Sequence, residues 1–173
     1  HLELGGKAPV IVFDDADIGA VVNGLRAFGY YNAGQACTAA CRIYAGKKVY
    51  EKLVAELSSA VSTIKFGDPD DTLNEIGPLI SKRQRDRVAS FVERASEQKH
   101  MEVTTGGKPG DGSGFFYQPT VIAGALQSDE IVRREVFGQE VTADRRVLRR
   151  VEPAVVERPG QLPEVLVRVD RRG

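Results

Sequence analysis

The chain has 173 residues, 42% of them hydrophobic and 28% charged, which fits a globular domain with a sizeable core. Lys and Arg number 24 and so do Asp and Glu, so no charge excess favours nucleic acid or an anionic membrane as partner. The longest apolar runs are too short to span a bilayer, and no basic segment leading into an apolar one opens the chain as a secretory signal.

Residues 8–13, APVIVF, form an almost wholly apolar run with three β-branched residues in a row. That pattern suits a strand buried on both faces of a parallel sheet. Asp14, Asp15 and Asp17 then supply an N-cap signal and first-turn acids. Ile18, Val21, Val22, Leu25 and Phe28 follow at helical steps, and the small residues near 32–34 end that helix. A second strand covers 42–44, and a second helix 48–64, marked by Val49, Leu53, Leu57, Val61 and Ile64.

Residues 67–71, GDPDD, are a loop by composition. A turn at 77–80 leads into a helix capped by Ser81 and running through Val88, Phe91, Val92 and Ala95 to about Gln98. Residues 101–105 read as a strand and 106–114 as a glycine-rich loop. The strand at 116–122 contains Pro119, which places it at a sheet edge. A short helix at 129–135 precedes Val136, Phe137 and Gly138. Strands alternating with helices predict an α/β domain, with a largely parallel sheet flanked by helices.

Composition shifts after Gly138. Residues 1–138 hold 8 Lys and 8 Arg, whereas 139–173 hold 8 Arg, no Lys, no Phe, no Tyr and no Ile. The valines there follow no sustained period. We therefore divide the chain into a domain at 1–138 and an Arg-rich, atypical tail at 139–173 that is poorly ordered or a strand-rich extension. An out-of-frame translation would produce this composition.

Only Cys37 and Cys41 are available as thiols, which is no disulfide framework, and His1 and His100 lie far away in sequence, so no metal site is expected. Two sparse cysteines suit a reducing cytoplasm. Cys37 stands among Gly34, Gln35, Ala36, Thr38 and Ala39. An isolated cysteine is ordinarily a small buried hydrophobe, but these flanks leave room for a ligand beside the sulfur. A backbone N–H at such a bend can face a developing oxyanion. Its thiol needs a proton acceptor. Glu3, 34 residues upstream, is the candidate base; the bland alternative is an ion pair, for instance with Lys7. Gly5 and Gly6 allow the backbone to approach a ligand, and strand ends of parallel sheets are where such sites collect. Cys41 reads as packing and His100 as a surface residue. The loop at 106–114 lacks the order of a phosphate-binding loop.

Taken together, LELGGKAPVIVF, GQAC at 35–37 with Gly34, and EVFG at 135–138 resemble the NAD(P)-dependent aldehyde dehydrogenase superfamily. The three motifs occur in family order and spacing over about residues 1–138. The surrounding text is most similar to bacterial gamma-aminobutyraldehyde dehydrogenases of the betaine-aldehyde type. The resemblance implies part of the family's catalytic domain. Cys37 would be the nucleophile and Glu3 the base that activates the deacylating water. Leu4 and Gly5 would line the nicotinamide site through backbone. Glu135 would bond the nicotinamide ribose, with Phe137 packed beside it. The implied cofactor is NAD, with NADP also open, and the implied partner is a small aldehyde such as 4-aminobutyraldehyde. The family is homo-oligomeric.

The departures are as informative. Opening on His1 in a strand-like segment, the chain reads as a piece of something longer, and the family's dinucleotide-binding domain and second oxyanion donor would lie upstream. After EVFG the family has Pro and an apolar strand; here Gln139 and Glu140 follow. The expectation is weak or absent turnover by the chain alone. Two other classes stay open: a non-catalytic remnant that associates with partner subunits, and a cysteine hydrolase working without NAD.

Overall fold

The computed structural model describes residues 5–146, 154–156 and 164–166. Glu3 and Leu4, two of the expected site residues, lie outside the described residues. In chain order the elements are β1 (Pro9–Val12), α1 (Ile18–Tyr30), a 3-10 turn (Tyr31–Gly34), β2 (Arg42–Gly46), α2 (Tyr50–Ser62), α3 (Lys82–Ser96), β3 (Glu102–Thr105), β4 (Thr120–Ala123), α4 (Glu130–Arg133), β5 (Glu140–Arg146), β6 (Ala154–Val156) and β7 (Glu164–Leu166). The main sheet has the order β1-β2-β5-β4-β3. Its β1–β2, β2–β5 and β5–β4 pairings are parallel and β3 joins antiparallel, so the expected largely parallel α/β architecture is present. Strands β6 and β7 pair antiparallel as a separate two-stranded sheet.

The helices form where their signals lie. Asp17 caps α1 by accepting the Ala20 N–H, and Ser81 caps α3 by accepting the Gln84 N–H. Ile18, Val22 and Leu25 of α1 and Leu53, Leu57 and Val61 of α2 bury one stripe each, against Ile43, Val121, Val141 and Ala143 of the sheet. Val88, Phe91, Val92 and Ala95 of α3 pack with Ile131 and Val132 of α4 and Ile122 of β4 in a second cluster. Val121 and Ile122 are adjacent in sequence and fall in different clusters, as alternation along a strand requires. The two clusters thus sandwich the sheet between helix layers.

Three expectations need correction. β1 is an edge strand rather than a doubly buried one: Val12 is buried on the α1 and α2 side, but Pro9 and Ile11, on the opposite face, are exposed. β4 is an interior strand with all four residues buried; Pro119 precedes it and removes no ladder bond. Finally, the division at Gly138 falls before the sheet's central strand. β5 lies between β2 and β4, and Gln139, Glu140, Val141, Thr142, Ala143 and Asp144 are all buried. Two polar members of this run that looked unfit for a core have partners: Glu140 pairs with Lys7, and the Thr142 N–H and hydroxyl both donate to the Cys41 carbonyl, at 2.9 and 3.3 Å. Among the described residues, no helix is long and apolar enough to cross a membrane.

Candidate active site

Three segments converge at one end of the sheet. Gly5–Lys7 leads into β1, Cys37–Cys41 into β2, and Glu135–Gly138 into β5. All three strands are parallel, so the site gathers at their amino ends. Open parallel sheets ordinarily bind ligands at carboxyl ends. Here the loops that enter the strands, rather than those that leave them, carry the motif residues.

The loop that carries Cys37 is built on left-handed backbone. Asn32, Ala33 and Gly34 have φ of 50°, 56° and 70°. The turn reverses the chain after α1, and a Cβ at Gly34 would fall 1.9 Å from the Gly138 carbonyl oxygen. Glycine therefore lets the cysteine loop lie directly on the EVFG backbone. Gln35 fastens the loop: its Oε1 accepts the Ile80 N–H at 2.8 Å and its Nε2 donates to the Asn32 carbonyl at 3.2 Å. The Ala39 N–H then closes a turn onto the Ala36 carbonyl at 3.0 Å, leaving Cys37 exposed at its tip.

The facing wall is held by α3. Gln84 Nε2 donates to the carbonyls of Val136 and Phe137, at 2.9 and 2.8 Å. Arg87 donates to the carbonyls of Val136 and Glu135, at 2.5 and 2.7 Å. These bonds hold Phe137 at φ 59°, a left-handed value unusual for a bulky residue. The Glu135 side chain, half-buried, stands 3.9 Å from where a Cβ on Gly5 would be, and Gly5 itself has φ 69°. The structure thus brings together Gly5, Cys37, Glu135 and Phe137. Gly6, Lys7, Gly34, Ala36, Ala39, Cys41, Val136 and Glu140 complete the cleft around them. Its free volume is about 10 Å³, roughly that of one water.

The floor of the cleft is an ion pair. Lys7 joins Glu140 across 133 residues, and both side chains are 2% exposed. Burial pushes the Glu140 carboxyl upward and Lys7 pulls it back, with a net rise. Burial also raises the Cys41 thiol, against the pull of Lys7. Tyr30, wholly buried, donates its hydroxyl to the Thr120 carbonyl at 2.8 Å; burial and then Glu140 push its phenol up.

Sequence reading missed Gln84, Arg87 and Glu140, and took Cys41 for packing. Gln84 and Arg87 share a helix face at a spacing of three, and GGK ends in a lysine that needed a partner. Cys41 is half-buried and lines the same cleft as Cys37. His100 is exposed, as expected, and its Nε2 lies 2.9 Å from Asp129 Oδ2. Among the described residues no group of His, Cys, Asp or Glu could hold a metal.

Comparison with known proteins bears on the family and the fold. The model of the aldehyde dehydrogenase family matches residues 1–142. The betaine aldehyde dehydrogenase of Sinorhizobium fredii is 38% identical over 139 residues, covering 79% of this chain and 28% of that protein. The structure of betaine aldehyde dehydrogenase from Staphylococcus aureus in complex with NAD+ superposes with a TM-score of 0.78 at 38% identity, over 83% of this chain and 29% of that one. Lactaldehyde dehydrogenase from Escherichia coli gives a TM-score of 0.78 at 37% identity, over 83% and 29%. The chain spans less than a third of the length of these relatives. The match through residue 142 reaches into β5, so sequence and fold agree that the chain belongs to the aldehyde dehydrogenase family.

Proposed function

We propose that this chain carries the acyl-transfer chemistry of an NAD-dependent aldehyde dehydrogenase acting on 4-aminobutyraldehyde or a related aminoaldehyde. The observation that supports this best is the exposed Cys37 in one cleft with Glu135, Phe137 and the Gly6 backbone.

In this reading the Cys37 sulfur attacks the aldehyde carbon to give a thiohemiacetal. Its backbone N–H supplies half of an oxyanion hole. NAD held beside Cys37 would supply the hydride acceptor for that carbon. Glu3, four residues before Lys7, then activates the water that hydrolyses the Cys37 thioester to the acid. The residues fit the nicotinamide end of the cofactor: Gly5 and Gly6 leave open backbone, nothing stands within 4 Å of a Cβ on Gly6, and Glu135 offers a half-buried carboxylate for ribose hydroxyls. Leu4 and Gly5 would face the nicotinamide through backbone and Phe137 would pack beside the ribose. Two free cysteines suit a reducing cytoplasm, the compartment this reading expects.

The 173-residue chain by itself is expected to acylate faster than it turns over, because near-attack geometry for the full cycle needs many cofactor contacts. Incubation with an activated aryl ester tests the half-reaction. Intact-mass and peptide analysis should find one acyl group on Cys37, none in Cys37→Ala, and slower acyl loss in Glu3→Gln. Acylation at another residue, or none, overturns the assignment.

A further inference from the structure

The chain's two cysteines meet in one small cleft. Cys37 and Cys41 both line it, and its free volume is that of one water. The turn closed by Ala39 N–H on Ala36 and the bond from Cys41 N–H to the Ala39 carbonyl, 2.8 Å, fold the intervening residues back so that both cysteines line this space. Thr38, Ala39 and Ala40 between them are small. The two thiols differ in access: Cys37 is exposed, while Cys41 is half-buried and kept protonated by that burial. The catalytic reading uses Cys37 and leaves Cys41 without a task.

We propose that Cys41 is a resolving thiol for Cys37, closing an intramolecular disulfide after a hydroperoxide has oxidised Cys37. In the first step the Cys37 sulfur attacks the peroxide. The O–O bond breaks, one oxygen passes to sulfur as a sulfenic acid, and the other leaves as alcohol or water. In the second step the Cys41 sulfur attacks the Cys37 sulfur. The S–S bond forms, the S–O bond breaks, and hydroxide leaves with the proton that Cys41 gave up, as water. Sulfur is oxidised by two electrons in all and one peroxide is reduced. An accessible thiol beside a sheltered one is the arrangement that diverts a sulfenic acid from irreversible oxidation. The inference shares with the proposed function only the reactivity of Cys37.

Treatment of the full 173-residue chain with hydrogen peroxide, followed by intact-mass and peptide analysis, tests it. The expected product is a monomer that has lost two hydrogens, has both thiols closed to maleimide, and is restored by dithiothreitol. Closure should quicken as pH rises and frees the Cys41 thiolate. In Cys41→Ala, Cys37 should go on to acids bearing two or three oxygens that dithiothreitol does not reverse. Accumulation of those acids in the unsubstituted chain while Cys41 still takes maleimide would overturn the proposal, as would a disulfide found only between two chains. Aryl-ester acylation run on the same sample separates the readings: a normal acyl-Cys37 without the disulfide sinks this proposal alone.

Discussion

At the scale of single residues, the cleft depends on contacts that tolerate little change. Gly34 has both a left-handed φ of 70° and a Cβ position 1.9 Å from the Gly138 carbonyl oxygen. Alanine there must adopt an unfavoured conformation and push two loops apart. We expect Gly34→Ala to cost at least about 2 kcal/mol, read from urea denaturation, and to slow acylation of Cys37 in the protein that remains folded. Unchanged stability would mean that the two loops are not in backbone contact. The Lys7–Glu140 pair is as exacting in another way. Either partner left alone is a buried charge, so Lys7→Met or Glu140→Val should each cost about 3–5 kcal/mol, whereas the double substitution should recover most of the loss. The pH dependence has a definite sign. Burial raises the Glu140 carboxyl above its ordinary value of 4.5 in the fold. A raised carboxyl contributes stability below that ordinary value and loses it as pH climbs through the folded one. The unsubstituted chain should therefore lose ground to the double variant, which cannot titrate there, as pH rises from about 4 towards 7. Urea midpoints at several pH values measure the gap, and a gap that stays constant would show the carboxyl fully compensated by Lys7.

Elements with a periodic apolar stripe and a cap were legible from sequence; elements whose surroundings come from far along the chain were not. Helices α1 and α3 announce themselves through Asp17 and Ser81, and α2 through Leu53, Leu57 and Val61. β5 is the contrary case. Its Val141 and Ala143 alternate with Glu140, Thr142 and Asp144, a pattern that suits a half-exposed strand, in a segment whose arginines suggested a tail. What buries its polar face is Lys7 and the Cys41 carbonyl, more than a hundred residues and 101 residues away respectively. Of the site, the motif residues were legible, but the α3 clamp of Gln84 and Arg87 on the 135–137 carbonyls was not, because a side chain to backbone bond leaves no pattern in composition. Gln139 marks where β5 is least well fitted. It is fully buried, and neither its Nε2 nor its Oε1 has a hydrogen-bond partner among the described residues. An amide buried without partners costs about 1–3 kcal/mol, so Gln139→Leu should stabilise the chain by a part of that amount. A higher urea midpoint at unchanged slope would establish it, and a lower one would mean that the amide is satisfied by water.

At the scale of the molecule, the sheet is least covered at β1, where one face and the outer edge are open among the described residues. In the order β1-β2-β5-β4-β3, β1 has β2 on one side and no strand on the other among the described residues. It is a short parallel strand whose Ile11 side chain is 57% exposed, and after Pro9 it carries no charge or bulge to discourage pairing. An uncovered edge with an exposed β-branched residue is a template for another strand, and the partner of matching geometry in a purified sample is β1 of a second copy. We expect the chain to associate reversibly as its concentration rises, visible as increasing weight-average mass in sedimentation equilibrium. A charge at the edge should oppose it: Ile11→Lys ought to lower the association constant at least tenfold, a difference of about 1.4 kcal/mol, while leaving the urea midpoint nearly unchanged because Ile11 adds little to the core. Acylation of Cys37 should be the same in both proteins, since the cleft lies at the strands' amino ends and draws no residue from the outer side of β1. If instead association persists in Ile11→Lys while Cys37 proves inert, the chain is better described as an associating remnant than as the acyl-transfer part of an enzyme. The two measurements together therefore decide between the catalytic and the non-catalytic readings of this fold.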